Sequence, residues 1–145
     1  MRTHQFLSRI DHDRIVRALK EAEASTSGQI RVFIQRGRLE EDALPVAQKK
    51  FQQLGMEKTR ERNGVLIFVV PRAGKFAVIG DDGVHEKCGD EFWRRLVDRM
   101  RVHFQHEDFT DALAEAIEET GKLLARYFPK TVGARNELSD DIVEG

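Results

Sequence analysis

The chain has 145 residues, of which 40% are hydrophobic and 34% charged, and these proportions exclude a disordered or a membrane protein. Its 24 basic and 25 acidic residues nearly cancel, which argues against a nucleic-acid-binding protein and leaves only a local basic patch open. The length fits one domain, and the single cysteine, Cys88, excludes an intrachain disulfide and a cysteine-rich zinc site.

The N-terminal region carries no pattern of a secretory signal, because its first twenty residues are interrupted throughout by charged side chains. The longest apolar run covers residues 65–70, far short of the roughly 20 residues that span a bilayer. We therefore expect a cytoplasmic protein without membrane insertion.

Helical and strand patterns alternate in the first half of the chain. Apolar residues recur at helical spacing after Asp11 or Asp13, either of which can cap that helix, and residues 30–34 read as a strand. Asp42 can cap a second helix, which Gly55 stops. The pattern predicts a helix–strand–helix order that leads into the central part of the chain.

The second half begins with the most apolar segment. Residues 65–70 predict a strand that is covered on both faces, and a turn at residues 71–74 joins it to a third strand at residues 76–79. Two long amphipathic helices follow, and Pro129 ends the second of them. Residues 131–145 read as an acidic surface tail after a single domain of residues 1–130.

These elements predict an α/β fold with three layers, an α/β/α-type sandwich around a small mixed sheet. The first two strands and the helix between them form a β-α-β unit, whose strands should be parallel. The short turn makes the second and third strands an antiparallel hairpin. If Val70 pairs with Lys75, Gly64 faces Asp81 and Asn63 faces Asp82. Ser27 and Gly28 should lie at that same edge of the sheet.

Polar side chains concentrate at this edge. Carboxylate and amide oxygens are what hard cations such as calcium or magnesium require. The predicted metal ligands are Asp81, Asp82, Glu86 and Asn63. A bound cation could hold a phosphate, whose charge Arg60 or Arg62 would stabilise, while His85 and Asp81 would be the catalytic residues.

The same residues also fit an ordinary structural role. Asp-Asp-Gly after a strand is common turn chemistry, and Glu86 or Asp90 can simply favour the start of the next helix. No Asp-x-Asp-x-Asp calcium loop is present. Turn-and-cap and functional site therefore both stay open.

Three other candidates have a structural alternative. His103 and His106, three residues apart on a helix, could share a ligand or form a solvated pair. Cys88 could be activated by Lys87 or be a structural thiol. A row of arginines beside Trp93 favours a solvated helix face, namely Arg94, Arg95, Arg99 and Arg101.

Several stretches together resemble the TPM domain family across about residues 10–144. They are AEASTSGQIRV (22–32), LGM (54–56), RNGVLIFV (62–69) and IGDDGVHEK (79–87), followed by Phe92-Trp93, His103-Phe104, Phe128-Pro129 and Asn136-Glu137-Leu138. The resemblance implies an α/β sandwich, acid phosphatase activity and calcium binding. This chain has Ile10-Asp11-His12 and residues 80–86 where many relatives have other motifs, so it is similar to the short, soluble bacterial branch. Glu86 stands in the place of the family's loop glutamate.

Two functions follow as hypotheses. The first is a metal-assisted acid phosphatase that acts on phosphomonoesters. The second is a non-catalytic calcium-binding or protein-interaction module, in which the acidic edge and the acidic tail bind a cation or a basic partner surface. The expected partners are a phosphorylated small molecule or another protein. No organic cofactor is expected, and the sequence does not indicate an oligomeric state.

Overall fold

The computed structural model describes residues 1–130 and 142–145, and within them the chain forms five α-helices and a four-stranded sheet. The elements in chain order are α1 (Thr3–Arg9), α2 (His12–Ala24), β1 (Gln29–Ile34), α3 (Ala43–Gln53), β2 (Gly64–Val70), β3 (Lys75–Gly80), α4 (Asp82–Gln105), α5 (Phe109–Tyr127) and β4 (Ile142–Glu144). Single 3₁₀ turns lie at Met56–Lys58 and Pro71–Ala73.

The strands are ordered β3-β2-β1-β4, with β1 parallel to β2 and β2 antiparallel to β3. This arrangement confirms the predicted β-α-β unit and hairpin. The register is also the predicted one, because Val70 pairs with Lys75 and Val65 with Gly80. One step further, the Asp81 N–H donates to the Gly64 carbonyl at 2.9 Å. The chain then turns into α4, so Asn63 and Asp82 do not extend the ladder.

A fourth strand lies within residues 131–145, which the sequence predicts as an acidic surface tail. Ile142–Glu144 pairs in parallel with Val32, Phe33 and Ile34 of β1. A strand of three residues between acidic neighbours gives no readable pattern, and it forms because the outer edge of β1 offers unpaired backbone groups. The acidic residues Glu137, Asp140 and Asp141 lie outside the described residues.

Helices cover both faces of the sheet, which confirms the three-layer prediction. On one face, α1, α2, α4 and α5 pack on Ile30, Val32, Ile34, Val65, Ile67 and Val69. On the other face, α3 packs on Phe33, Leu66, Phe68, Val70 and Ala77. Every residue of β2 is buried, as its continuous apolar run predicted. None of the helices in the described part of the chain is long and apolar enough to cross a membrane.

Helix α4 begins at Asp82, before Glu86 and Asp90, the two residues that the sequence offers near its start. Residues 82–88 thus already form helical turns. Gly89, with φ 69° and ψ −173°, interrupts the helix, and the predicted stripe with Trp93 in the core continues after it. The many glycines hid the short first part, because glycine disfavours helix by about 1 kcal/mol relative to alanine.

The ends of three elements meet at one edge of the sheet. The Ser27 N–H donates to the carbonyl of Phe128 at 3.0 Å, and the Thr26 hydroxyl donates to the same oxygen. These bonds tie the end of α5 to the start of β1. Gly28, which precedes β1, therefore lies beside the start of β2, and the end of β3 lies on the far side of β2 at the same end of the sheet.

Candidate functional site

An ion pair between Arg62 and Asp81 forms the centre of this edge. The Arg62 Nε donates to Asp81 Oδ2 at 2.8 Å, and its NH2 group donates to Oδ1 at 2.9 Å. The Asp81 side chain is only 4% exposed, whereas that of Arg62 is 47% exposed. The hydrogen bond and charge of Asp81 raise the pKa of the Arg62 guanidinium, which stays charged at all working pH values.

Asp81 is also the N-cap of α4. Its Oδ1 accepts the N–H of Asp82 at 2.8 Å, and its carbonyl accepts the N–H groups of Val84 and His85 at 3.0 Å each. A carboxylate at this position satisfies orphan amide donors and matches the helix dipole. The turn-and-cap alternative is therefore realised by Asp81.

The segment before β2 is held tightly against the start of α4. The Gly83 N–H donates to the Arg62 carbonyl at 2.9 Å. A Cβ at Gly83 would lie 2.2 Å from the Glu61 carbonyl oxygen and 2.6 Å from that of Arg62, so only glycine fits. Arg62 itself has φ 51°, a conformation that non-glycine residues seldom adopt. Close backbone contact thus fixes the direction of the Arg62 side chain.

A second polar chain lies behind this pair. The Asn63 Nδ2 donates to Ser27 Oγ at 3.1 Å, and Ser27 Oγ donates to Glu61 Oε1 at 3.0 Å. Asn63 is buried, and its backbone bonds Thr59 Oγ1 and the Gln29 N–H. The side-chain amide of Asn63 therefore takes part in a hydrogen bond within the protein itself. Sequence reasoning missed the roles of Ser27 and Glu61, which are separated by 34 residues.

A groove of about 480 Å³ opens beside the ion pair, between α3 and β3. Its apolar lining comes from Leu44, Phe51, Val78 and Ile79, and its polar end consists of Glu57, Arg62, Asp81, Asp82 and His85. We call it the α3–β3 groove. The structure thus brings together four of the predicted site residues, Arg62, Asp81, Asp82 and His85. The other three, Arg60, Asn63 and Glu86, do not line it.

The described residues do not assemble the predicted cation ligands. Both Asp81 oxygens face the Arg62 guanidinium, and the amide nitrogen of Asn63 is turned to Ser27. Asp82 and Glu86 are exposed, and in residues 1–130 and 142–145 no group of three or more His, Cys, Asp or Glu side chains could hold a metal ion. This donor set does not fit calcium or magnesium as it stands.

His103 of α4 and His106, which caps the C-terminal end of that helix, contact different partners. His103 Nε2 contacts Glu115 Oε2 of α5 at 2.5 Å, and Arg99 bonds the other oxygen of Glu115. His106 Nδ1 instead contacts the carbonyl oxygen of Val102. Burial opposes the charge of Glu115, but the hydrogen bonds from His103 and Arg99 outweigh it and lower the pKa of that carboxyl. The cluster links α4 to α5.

Cys88 is half-buried near the Gly89 kink. Its Sγ lies 3.5 Å from the Gly89 carbonyl oxygen, and burial raises the pKa of the thiol. A raised pKa leaves little thiolate at neutral pH, so the geometry fits the structural alternative.

The fold and the site define a class of protein, namely an α/β sandwich with an arginine–aspartate pair fixed at one edge of a mixed sheet. The model of the TPM domain family matches residues 1–123, so the chain belongs to the TPM domain family. It is also similar to the NMR structure of BA42 protein from the psychrophilic bacterium Bizionia argentinensis. The TM-score is 0.84 and the sequence identity 33%, over 94% of this chain and 95% of BA42. No curated protein matches the chain significantly.

Proposed function

We propose that this TPM-domain protein is a non-catalytic interaction module that binds an extended, basic segment of a partner protein in the α3–β3 groove. The proposal rests on the hydrogen bonds that Asp81 already makes within the protein. Arg62 holds both of its oxygens, and the same carboxylate caps α4. The best-buried carboxylate of the groove therefore holds the edge together and is not available as a nucleophile or a metal ligand.

The lining of the groove suits a peptide with apolar and basic side chains. Leu44 is 51% exposed and lines the groove together with Val78 and Ile79. At the polar end, the Asp82 side chain is 83% exposed and lies 3.6 Å from the Arg62 guanidinium, and Glu57 adds a second carboxylate. An apolar anchor would enter between α3 and β3, and a lysine or arginine would reach Asp82.

Backbone groups of β3 supply a further contact. β3 is an edge strand of the sheet, and the Asp81 N–H points toward β2. Since direction alternates along a strand, the backbone groups of Val78 and Gly80 point the other way, toward the free edge. An extended segment that lies along this edge gains main-chain hydrogen bonds, as in β-strand addition.

A metal-assisted acid phosphatase is the second candidate, favoured by the position of Arg62 and His85 in one groove. In that case Arg62 would hold a phosphomonoester and the half-exposed His85 would be the acid or base. Arg60, the other predicted phosphate ligand, is exposed and does not line the groove. The carboxylates Asp82 and Glu86 would have to gather around an added cation.

One experiment separates the two candidates. A short synthetic peptide in which lysine alternates with valine is titrated into isotope-labelled protein, and amide shifts are followed by NMR. We expect saturable shifts in α3, β3 and the first turn of α4. Leu44→Asp should weaken binding at least about tenfold, as loss of an anchor residue does. The matched control is Val102→Asp, because Val102 is 53% exposed on α4 outside the groove and should leave binding unchanged.

The same preparations are assayed with an aryl phosphate, with calcium, magnesium or chelator. Absence of turnover together with groove-confined peptide shifts supports the interaction module. Turnover that chelator abolishes and that falls in His85→Gln and Glu86→Gln would establish the phosphatase and overturn the proposal. Peptide shifts that Leu44→Asp and Val102→Asp weaken equally would also overturn it, because binding would then not lie in the groove.

A further inference from the structure

A second groove, of about 490 Å³, lies at the opposite end of the parallel strand pair. Three arginines line it, and each comes from a different segment of the chain. Arg2 immediately precedes α1, Arg38 follows β1, and Arg72 lies in the 3₁₀ turn after β2. We call it the arginine groove. It has no lining residue in common with the α3–β3 groove.

The positive charge in this groove is poorly compensated. Within residues 1–130 and 142–145, the guanidinium groups of Arg2, Arg38 and Arg72 form no ion pair, whereas nearby Arg36 pairs with Glu144 at 3.0 Å. Glu40 is the acidic side chain in the lining. Like charges that are held together without counter-charges raise the local positive potential and attract an anion.

The backbone next to Arg38 and Arg72 is anchored. Lys75 Nζ donates to the carbonyl oxygens of Leu39, Glu40 and Glu41 at 3.1, 3.2 and 2.9 Å, which holds the loop next to Arg38. On the other side, buried Pro71 fixes the turn that contains Arg72, and its carbonyl accepts the Gly74 N–H at 3.1 Å. An arginine on a fixed backbone loses less freedom on binding an anion.

The position of Arg38 and Arg72 in the fold also favours an anion-binding site. Arg38 and Arg72 follow the C-terminal ends of two adjacent parallel strands, and open α/β sheets bind ligands outside those ends. Guanidinium groups bind phosphoryl oxygens in a bidentate manner. We propose that the arginine groove binds a small soluble anion that carries phosphoryl groups. This site is independent of the function proposed for the α3–β3 groove.

Inorganic pyrophosphate is the probe for this proposal. Titration into the isotope-labelled protein at low salt should give saturable amide shifts confined to residues 36–41 and 71–75. The double variant Arg38→Gln/Arg72→Gln should weaken binding at least about tenfold, because it removes two charge-assisted donors. Its matched control is Arg94→Gln/Arg95→Gln, which makes the same change in net charge at two exposed positions of α4 and should bind as the parent does.

Circular dichroism of both double variants verifies that they are folded, which is expected since all four side chains are exposed. Equal loss of affinity in the two variants would show general charge attraction and overturn the proposal. Unsaturable shifts spread over the surface would do the same. In the last titration, vesicles that contain phosphatidic acid replace pyrophosphate. Binding of the vesicles through Arg38 and Arg72, without binding of pyrophosphate, would assign the groove to a membrane surface and overturn the soluble ligand.

Discussion

Arg62 and Asp81, which are nineteen residues apart, form a two-point ion pair with N–O distances of 2.8 and 2.9 Å. The pair joins Arg62, two residues before β2, to Asp81, the residue after β3 and the N-cap of α4. It therefore links the hairpin to the helix through the ends of two neighbouring strands. The same carboxylate thus contributes both to the ion pair and to the cap of α4.

Replacement of Asp81 should destabilise the fold. Asp81→Ala removes the N-cap of α4, whose loss typically costs about 1–2 kcal/mol of unfolding free energy. Urea denaturation measures the change, with Asp82→Ala as the control because the Asp82 side chain is 83% exposed. The control should change stability by no more than about 0.5 kcal/mol. Equal effects of the two substitutions would contradict the structural role of Asp81.

Gly83 should tolerate no larger residue. In Gly83→Ala the new Cβ would lie 2.2 Å from the Glu61 carbonyl oxygen, so the backbone must separate. We expect the unfolding free energy to fall by about 1–3 kcal/mol, as at other overpacked sites. Glu86→Ala, at an exposed position of the same helical segment, is the control and should be nearly neutral. A neutral Gly83→Ala would mean that the two segments are not in close contact.

The cluster of Glu115 with His103 and Arg99 should make stability depend on pH in the acid range. Because the folded-state pKa of Glu115 is lowered, its contribution is present above the unfolded-state value of about 4.3 and is lost as pH falls through the folded-state pKa. Glu115→Gln should therefore reduce the slope of stability against pH below about pH 4. Thermal unfolding between acid and neutral pH measures this slope. Glu118→Gln, an exposed carboxylate on α5, should leave the slope nearly unchanged.

Lys75 should limit the local opening of the loop before α3. Lys75→Met removes the hydrogen bonds from Nζ to three successive carbonyl oxygens, those of residues 39–41. Hydrogen exchange of the loop amides should become faster, while exchange in the centre of β2 stays unchanged, because only a local opening is made easier. Lys87→Met, at an exposed position of α4, is the control. Unchanged loop exchange in Lys75→Met would contradict the anchoring role.

The site was only partly predictable. The sequence brought Arg62, Asp81, Asp82 and His85 to one edge, since hairpin register depends on turn length and strand alternation. It did not show that Asp81 is already bound by Arg62, because the direction of the arginine depends on its positive φ and on contact with Gly83. Partners distant in sequence, such as Ser27 with Glu61, carried no local signal.

The sequence by itself determined the layered α/β architecture, the fully buried β2 and the pairing of Val70 with Lys75. Hydrophobic periodicity and short turns are local features, and local features are sufficient for these elements. Only the tertiary structure decided that Ile142–Glu144 adds a strand to β1, that Glu115 contacts His103, and that Arg38 and Arg72 line one groove. Each of these relationships joins residues of different elements, and packing of those elements against one another brings the residues together.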